Sequence, residues 1–345
     1  MTKNIEQQLP PPPAGKSGWP WDIELVPLPV QMPDGKEWPR ISITVPSYNQ
    51  AAYLEETLRS ILLQGYPNLE LFVMDGGSTD GSQALLKKYD SWIDAWVSEA
   101  DHGQSHAINK GWQRSSGMLV AYLNSDDFYL PGTLEKVATA RGHDDQVALV
   151  AGAVAYVDAS SKRTRVNTPH LNAPSPLDLS TLEISDWYIP QQASFFARPA
   201  LDQAGCWLRD DLHYVMDREL MYRLCRLGRV VLLSDVLAAD RKHAAAKRQK
   251  DRLVMYREDG KAMQYCTWGE SSDGLRRKQV ARARLAQGYW LTAQSEDAPL
   301  QKLADVLKAI SLRPAYLKQV EPMNSFLRVI RSFRSNSIAY KKEVH

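Results

Sequence analysis

The sequence predicts an α/β protein in which a mostly parallel β-sheet is flanked by helices and followed by a helical extension. Three observations lead to this fold class. Runs of β-favouring residues alternate four times with runs of helical periodicity between residues 41 and 123. The run Met118–Leu123 lacks polar alternation, as is typical of a strand buried on both faces. After His243 the composition turns to Ala, Lys, Arg, Gln and Leu, which favours helices.

The first strand is predicted over Ile41–Val45, a short β-rich run that ends at Pro46. Asn49 is expected to cap the helix that follows. Its apolar positions recur at helical spacing, at Leu54, Leu58, Ile61 and Leu62. The same signals predict further strands over Leu69–Met74, Ala95–Ser98 and Met118–Leu123, and helices over 79–89 and 105–113.

Beyond Leu134 the pattern is looser. A helix is predicted over Tyr214–Leu227, because Gly228 follows it and can end it. Strands are predicted over Ala148–Val157, Thr164–Val166 and Val230–Leu233. The stretches 244–294 and 300–329 are expected to be mainly helical.

The first 38 residues are rich in proline, including the run Pro10–Pro13. Proline cannot propagate a helix or a central strand, so this segment is interpreted as an extended arm. Trp19, Trp21 and Trp38 are candidates to pin it down. The predicted organisation is therefore an arm over 1–38, a sheet domain over 39–243 and a helical extension over 244–345.

Composition excludes some classes of protein. The chain has 345 residues, and its 42 basic and 40 acidic side chains give a net charge of +2, which offers no support for nucleic-acid binding. Its three cysteines, Cys206, Cys225 and Cys266, form no Cys-x-x-Cys pair, so reduced thiols in the cytoplasm are expected. No apolar signal core begins the chain, and no apolar run approaches the roughly 18–20 residues that span a bilayer.

Polar loops follow each of the first four predicted strands, where ligands gather in an open parallel sheet. The fourth loop carries two adjacent carboxylates, Asp126 and Asp127, which would repel each other without a counter-charge. Such oxygen ligands suit Mg²⁺ or Mn²⁺ that holds a diphosphate. An N-cap for a helix near Pro131, or a plain acidic turn, is the alternative.

Two earlier loops carry candidate nucleotide contacts. Asp75 is placed to contact a ribose or a base, while the glycines after it allow close backbone approach. The alternative is a strand-to-helix turn capped by Ser78 or Thr79. Tyr48 is a candidate to stack on a nucleobase, against an ordinary buried aromatic ring. Lys110, late in a predicted helix, is a further candidate for contact with the nucleotide, and the alternative is a solvated lysine.

The ordered set of motifs resembles glycosyltransferase family 2, whose catalytic domain has the GT-A type, Rossmann-like fold. The resemblance covers residues 40–243 and is far more specific than any single motif. The motifs that carry it are Val45–Gln50, Tyr53–Gln64, Val73–Gly81, Ser98–Gln104, Ala107–Gly111, Tyr122–Asp127, Pro190–Arg198, Met216–Leu220 and Arg241–His243.

The resemblance implies an enzyme that transfers a hexosyl or N-acetylhexosaminyl group from a nucleoside-diphosphate sugar, with a UDP-sugar favoured. It further implies a divalent cation, Mn²⁺ or Mg²⁺, and inversion at the sugar carbon. The acceptor would be a glycan or a lipid-linked molecule in polysaccharide or glycoconjugate synthesis. A non-catalytic nucleotide-sugar-binding module on the same fold is the alternative. A nucleotidyltransferase is disfavoured, because Pro46–Gln50 is unlike a Gly-rich phosphate loop.

The resemblance also implies roles for individual residues. Asp126 would ligate the metal with Asp127 beside it, and His243 would help to hold the metal or the diphosphate. Arg241 would contact phosphate, unless Arg241–His243 is only a polar loop. The residues implied in nucleotide-sugar binding are Pro46, Tyr48, Asn49, Asp75, Gln104, Asn109, Lys110, Asn124, Ser125, Gln191 and Gln192, of which the two glutamines can instead be a strand-edge pair.

Asp217 falls where the family places its catalytic base. A carboxylate that takes the proton of an acceptor hydroxyl makes that hydroxyl a better nucleophile. Asp217 also opens a predicted helix, whose dipole keeps a carboxylate ionised, and a simple helix-terminal charge is the alternative. Glu219, two residues on, is expected to be structural.

Three positions depart from the family pattern. Gly76 stands where many relatives have a second acidic residue, which leaves the contact to the base open. His106 stands in place of a common Asp, and Asn124 replaces an acidic residue, so metal binding would depend on Asp126. Near the C-terminus, Phe326–Arg334 mixes apolar and basic residues at helical spacing, which suits an anionic membrane surface, the catalytic domain or a second subunit.

Overall fold

A computed structural model describes residues 9–23, 26–171, 187–205 and 207–243 of the chain. Beyond them it describes 254–255, 258–259, 261–262, 282, 285–286, 288–289 and 299–312. The chain divides into two compact units, Met1–Ala244 and Ala245–His345. The predicted boundaries of the arm, the sheet domain and the helical extension stay predictions.

The predicted alternation of strands and helices is confirmed in the first half of the sheet. Its elements in chain order are β1 (Ile41–Ser47), α1 (Ala51–Leu62), β2 (Leu69–Asp75), α2 (Ser82–Lys88), β3 (Ala95–Ser98), α3 (Gln104–Arg114) and β4 (Leu119–Tyr122). The side chains of β1 and β4 are buried along their whole length, as expected for strands covered on both faces.

The second half of the sheet mixes strand directions. Its elements are β5 (Phe128–Tyr129), α4 (Thr133–Arg141), β6 (Val147–Val157), β7 (Arg163–Asn167), β8 (His170–Leu171), β9 (Trp187–Tyr188), β10 (Ser194–Ala197), α5 (Arg198–Gln203), α6 (Met216–Cys225) and β11 (Arg229–Arg241). The main sheet has the order β3-β2-β1-β4-β10-β6-β11-β5, with β7 paired to β6, while β8 and β9 form a separate pair.

Strand direction brings distant loops to one edge of the sheet. β1 to β4 run parallel, β10 runs antiparallel to both β4 and β6, and β11 runs parallel to β6. The carboxyl ends of β1 to β4 and β11 therefore share one edge with the start of β10. This edge is called the carboxyl edge. Since α6 ends at Cys225, just before β11 begins at Arg229, its first turn also lies toward that edge.

The structure extends β1 past the predicted stop at Pro46. Pro46 is paired in register with Met74 of β2, and the strand continues to Ser47. On the other side, β4 pairs with β1 only as far as Thr44. The backbone groups of Thr44 and Pro46 point to the same side of β1, toward β4. Because β4 no longer pairs with β1 at Pro46, the N–H that proline lacks is not needed for a strand hydrogen bond.

The predicted cap of α1 is wrong. The helix begins at Ala51 after Gln50, and Asn49 has a positive φ of 52°. The Ala51 N–H instead donates to Oδ2 of Asp80, which comes from the loop after β2. A carboxylate from another loop thus satisfies one of the free amides at the helix start.

Elements with weak local signals differ most from expectation. β11 has 13 residues instead of the predicted four, because register shifts let it continue past Ser234 and Asp235. β5, β10 and α5 are short and were not predicted from the sequence. α6 begins two residues later and ends two residues earlier than predicted.

Tryptophans and one arginine fasten the proline-rich arm, as the sequence suggests. Trp19 Nε1 donates to the carbonyl of Tyr129, and Trp38 Nε1 donates to the carbonyl of Pro29. The guanidinium of Arg59 in α1 lies 5.6 Å from the ring centroid of Trp21. Its nitrogens also donate to the carbonyls of Pro10, Pro20 and Trp21. The arm is thereby tied to the helix that faces the carboxyl edge.

In the second unit, Pro299–Leu312 forms helix α7. Val306 and Ala309 of this helix pack with Ala286 and Tyr289 in a small apolar cluster. The remaining predicted helical stretches lie largely outside the described residues, and so does Phe326–Arg334. Among the residues that the structure describes, no helix is long and apolar enough to cross a membrane.

Candidate active site at the carboxyl edge

Asp126 and His243 meet at the carboxyl edge. Nε2 of His243 lies 2.9 Å from Oδ2 of Asp126, so the loop after β4 contacts the end of β11. The imidazole packs against the ring of Tyr53 in α1, with 4.9 Å between ring centroids. Both side chains are largely buried, but Asp126 keeps some exposure. A carboxylate oxygen and an imidazole nitrogen thus converge on one point.

Asp127 turns away from this point into the protein. Its Oδ1 accepts from the backbone N–H of Arg241, and its Oδ2 accepts from Nδ2 of Asn124. Burial raises the pKa of Asp127 well above its usual value, and the carboxylates of Asp126 and Asp240 raise it further. Because both oxygens are engaged inside the protein, the structure gives Asp127 a positioning role instead of the predicted metal contact.

Arg241 also lies beneath the site. Its Nε donates to the carbonyl of Asp126 at 2.8 Å, and its Nη2 lies 3.0 Å from Oε2 of the buried Glu56. Nη1 donates to Ser161 Oγ, and the guanidinium stacks over the ring of Tyr53. With its donors turned inward, Arg241 positions the Asp126 loop, and the predicted phosphate contact has no support in this geometry.

Side-chain amides form the floor between β4 and β10. Gln104 Nε2 donates to Asn124 Oδ1, and Gln191 Nε2 donates to the carbonyl of Tyr122. Asn124 in turn donates to Asp127, so an Asp at position 124 would place another carboxylate against a buried one. Ser125 and Gln192 are buried beside this floor, and their predicted sugar contacts stay predictions.

The loops after β1 and β2 are locked together. Asn49 N–H donates to Ser78 Oγ, and Thr79 N–H donates to Asn49 Oδ1. The buried carboxylate of Asp75 accepts from Ser78 N–H and Oγ and from Ser98 Oγ. These bonds form a turn after β2, as in the alternative interpretation of Asp75, but α2 begins after Gly81 and neither Ser78 nor Thr79 caps it. The side chains of Asn49 and Asp75 therefore build the loops that would surround a nucleotide.

Tyr48 is the exposed aromatic residue of this region. It follows Pro46 and Ser47 at the carboxyl end of β1, and its side chain is 64% exposed. The alternative of an ordinary buried aromatic ring is thus wrong. An exposed ring at a strand end offers a flat apolar face to a base.

Two residues of α3 have internal partners. Asn109 Oδ1 accepts from the N–H of Leu208, and Asn109 Nδ2 donates to the carbonyl of the same residue. Asn109 therefore fastens α3 to a distant segment, which accounts for it without the predicted nucleotide contact. Lys110 forms an ion pair with Glu99 in the loop after β3 and is not simply solvated.

Asp217 lies in the first turn of α6, where its Oδ1 accepts from the N–H of Arg218. The positive end of the helix dipole lies at this turn. Glu219 is buried and forms a bidentate ion pair with Arg223 one turn later, so its predicted structural role is confirmed. The two acidic residues of this turn thus have different partners.

The Asp126–His243 pair fits a divalent cation that takes most of its ligands from elsewhere. Among the residues that the structure describes, no group of three or more His, Cys, Asp or Glu side chains could hold a metal ion alone. Mg²⁺ and similar cations are commonly bound by one or two protein groups plus substrate phosphates and water. One carboxylate oxygen and one imidazole nitrogen meet that requirement, and both are acceptable ligands for Mn²⁺.

Sequence reasoning missed the contribution of α1. Tyr53 and Glu56 touch His243 and Arg241, and Thr57 Oγ1 lies 2.9 Å from the carbonyl oxygen of Ser125 and 2.6 Å from that of Asp127. A signal for them exists in the sequence. Glu56 and Thr57 lie between the core residues of an amphipathic helix, and a charged side chain at such a position needs a buried partner.

Comparison with known structures agrees with this architecture. Residues 1–349 of TarS from Staphylococcus aureus, solved in complex with UDP-GlcNAc, superpose with a TM-score of 0.56 at 15% identity. The alignment covers 86% of this chain and 92% of that one. The mannosyltransferase PcManGT from Pyrobaculum calidifontis, solved with GDP-Man and Mn²⁺, gives 0.50 at 20% identity over 85% and 86%. The fold is therefore of the GT-A type.

Sequence comparison finds related proteins. Residues 42–208 match the family described as glycosyl transferase family 2. A Bacillus subtilis protein named as a teichuronic acid biosynthesis glycosyltransferase, TuaG, is 39% identical over 101 residues, or 28% of this chain. An uncharacterized Rickettsia prowazekii glycosyltransferase, RP339, is 25% identical over 209 residues, or 60% of this chain. The present chain spans 40% and 65% of the lengths of these two relatives.

Proposed function

We propose that this protein is a glycosyltransferase that moves a hexosyl or N-acetylhexosaminyl group from a nucleoside-diphosphate sugar to an acceptor hydroxyl with inversion. The observation that carries the proposal is the Asp126–His243 contact at the carboxyl edge, toward which the first turn of α6 with Asp217 also lies. The match of residues 42–208 to glycosyl transferase family 2 supports the same class of reaction.

Asp126 and His243 would hold the divalent cation, Mn²⁺ or Mg²⁺. When bound, the cation neutralises charge on the departing diphosphate. Arg241 and Asp127 keep the Asp126 loop in place, since they bond its backbone and each other. A preorganised site of this kind spares reorganisation during the reaction.

Asp217 would accept the proton of the acceptor hydroxyl as that oxygen attacks the anomeric carbon. The bond from the acceptor oxygen to the anomeric carbon forms while the bond from that carbon to the diphosphate oxygen breaks. The nucleoside diphosphate leaves, and the configuration at the carbon inverts because attack and departure take opposite faces. A base in this position contributes roughly 10²–10⁴-fold to the rate of such reactions.

A UDP-sugar is the favoured donor. TarS is described in complexes with UDP-GlcNAc and with UDP, and PcManGT with GDP-Man, which supports a nucleotide-sugar donor in general. The name of TuaG supports an acceptor in polysaccharide synthesis, either a glycan or a lipid-linked molecule. We place the reaction in the cytoplasm, with peripheral membrane contact proposed through Phe326–Arg334.

The full-length protein should be tested with a panel of UDP-, GDP- and CDP-sugars, while release of nucleoside diphosphate is measured. We expect turnover of at least one donor with Mn²⁺ or Mg²⁺ and loss of turnover with a chelator. Binding of a donor without any turnover, across candidate glycan and lipid-linked acceptors, would instead support the non-catalytic module.

A further inference from the structure

The loop after β2 approaches two functional side chains very closely at Gly76. A β-carbon placed on Gly76 would lie 3.0 Å from Oδ2 of Asp101 and 3.3 Å from Cδ2 of Tyr48. Both distances are tighter than ordinary van der Waals contact. A larger side chain here would press on the carboxylate and on the ring, which both flank Gly76.

Asp101 is held so that one of its oxygens faces this space. It lies in the loop after β3, where Oδ1 accepts from the N–H of Gly103 at 2.8 Å. That bond closes a small turn at the start of α3, since Gly103 has a positive φ of 108°. The carboxylate is half-buried, and Oδ2 and the ring of Tyr48 both flank the position that a β-carbon on Gly76 would take.

Asp75, the carboxylate that the sequence favours for a nucleotide contact, is differently placed. Its two oxygens accept three hydrogen bonds from Ser78 and Ser98, and its side chain is buried. A ligand could bond Asp75 only by competing with those internal donors, whose loss is costly in a buried site. Asp101 offers an oxygen at the same edge without that competition.

We infer that Asp101, and not Asp75, reads the base of the donor, by accepting a hydrogen bond at Oδ2 from the ring N–H of a base stacked on Tyr48. This inference rests on the proposed function, because it needs a nucleotide at this edge. Uracil and guanine carry such an N–H, whereas the corresponding nitrogen of cytosine is an acceptor. A carboxylate at this place therefore selects UDP or GDP over CDP.

The substitution Asp101→Asn tests the inference sharply. An asparagine can still accept from Gly103 through Oδ1, so the turn is kept, but it presents an N–H₂ donor where Oδ2 of Asp101 lies. The substitution thus replaces a hydrogen-bond acceptor with a hydrogen-bond donor at the position of Oδ2. We expect weaker binding of the base whose ring N–H is read, uracil or guanine, and relatively stronger binding of cytosine. The ratio of UDP or GDP affinity to CDP affinity should therefore fall about tenfold or more.

Binding of UDP, GDP and CDP should be measured by calorimetry with Mn²⁺ on the full chain, for wild type, Asp101→Asn and Asp145→Asn. Asp145 is an 84% exposed carboxylate just before β6, at the opposite edge, and its variant controls for lost charge. The inference predicts that only Asp101→Asn lowers the ratio of UDP or GDP affinity to CDP affinity, and the UDP and GDP arms show which base is read.

Two results would overturn the inference and leave the proposed function intact. One is an unchanged ratio in Asp101→Asn, and the other is an equal loss of UDP, GDP and CDP affinity, which would place the carboxylate against ribose or phosphate. A wild-type protein that binds none of the three nucleotides would overturn the proposed function as well. Thermal melts of each variant verify that the fold is retained.

Discussion

His243 Nε2 lies 2.9 Å from Asp126 Oδ2, and this contact joins the end of β11 to the loop after β4. The contact is braced on both sides, because Tyr53 packs on the imidazole and Arg241 bonds the Asp126 carbonyl. Residues more than a hundred positions apart are thus brought to one point by the parallel course of β4 and β11.

If this pair holds the cation, His243→Ala should weaken the binding of Mn²⁺ in the nucleotide complex. We expect the Mn²⁺ concentration at half-saturation to rise about tenfold or more, since even residues that only orient metal ligands contribute that much. A Mn²⁺ titration of UDP binding measures it. His143→Ala is the matched control, because His143 pairs with Asp34 before β6 at the other edge. An equal Mn²⁺ requirement in both variants would rule out His243 as a ligand.

The buried ion pair between Glu56 and Arg241 should be important for stability. Replacement of Glu56 by Gln leaves the Arg241 charge buried without its partner, which costs about 3–5 kcal/mol in comparable sites. The exposed pair of Lys136 and Asp235 gives a control, since Asp235→Asn should cost less than about 1 kcal/mol. Urea unfolding compares the two. Equal free energies of unfolding would show that the Glu56 contact is not maintained in solution.

The proline-rich arm should loosen when its arginine clasp is removed. Arg59→Lys cannot reproduce the donors that bond the carbonyls of Pro10, Pro20 and Trp21 together. We expect faster amide hydrogen exchange over residues 9–23 in this variant. Arg40→Lys, at an exposed site, should leave that exchange as in the wild type. Unaltered protection of the arm in Arg59→Lys would mean that the tryptophans alone hold it.

Cys225 should be inert to thiol reagents in the folded protein. Burial at the end of α6 raises the pKa of its thiol to about 12, so almost no thiolate exists at pH 8. The reactive form would appear only as the pH approaches that value or as the protein unfolds. Labelling with iodoacetamide at pH 8, read by mass spectrometry with and without urea, checks this. Rapid labelling of Cys225 without urea would contradict the packing of α6.

The sequence was sufficient where a feature is local or repeated. Alternating β-rich and amphipathic runs predicted β1 to β4 and α1 to α3 within a few residues, because burial on both faces leaves an unbroken apolar run. The position of Asp217 in the first turn of α6 followed from a helical run ended by Gly228. Loops that follow parallel strands were expected at one edge, and the strand order confirms it.

The sequence could not decide which polar side chain faces the ligand and which faces the interior. Asp126 and Asp127 are adjacent and chemically identical, and only the Arg241 N–H and the Asn124 amide turn Asp127 inward. Arg241 was expected at phosphate, but its partner Glu56 comes from α1, far away in the chain. Asn49 bonds the next loop instead of capping α1. Each outcome depends on a tertiary contact that no local pattern encodes.

The central claim is that Asp217 takes the proton of the acceptor hydroxyl while that oxygen attacks a nucleotide-sugar donor. The diphosphate of this donor lies beside Asp126. The claim is tested most directly by Asp217→Asn, with kcat and donor affinity measured on the same preparation and Asp202→Asn, an exposed carboxylate of α5, as control. We expect kcat to fall about 10²–10⁴-fold in Asp217→Asn alone, with donor affinity unchanged, because only proton transfer is lost. Full turnover by Asp217→Asn would contradict the account.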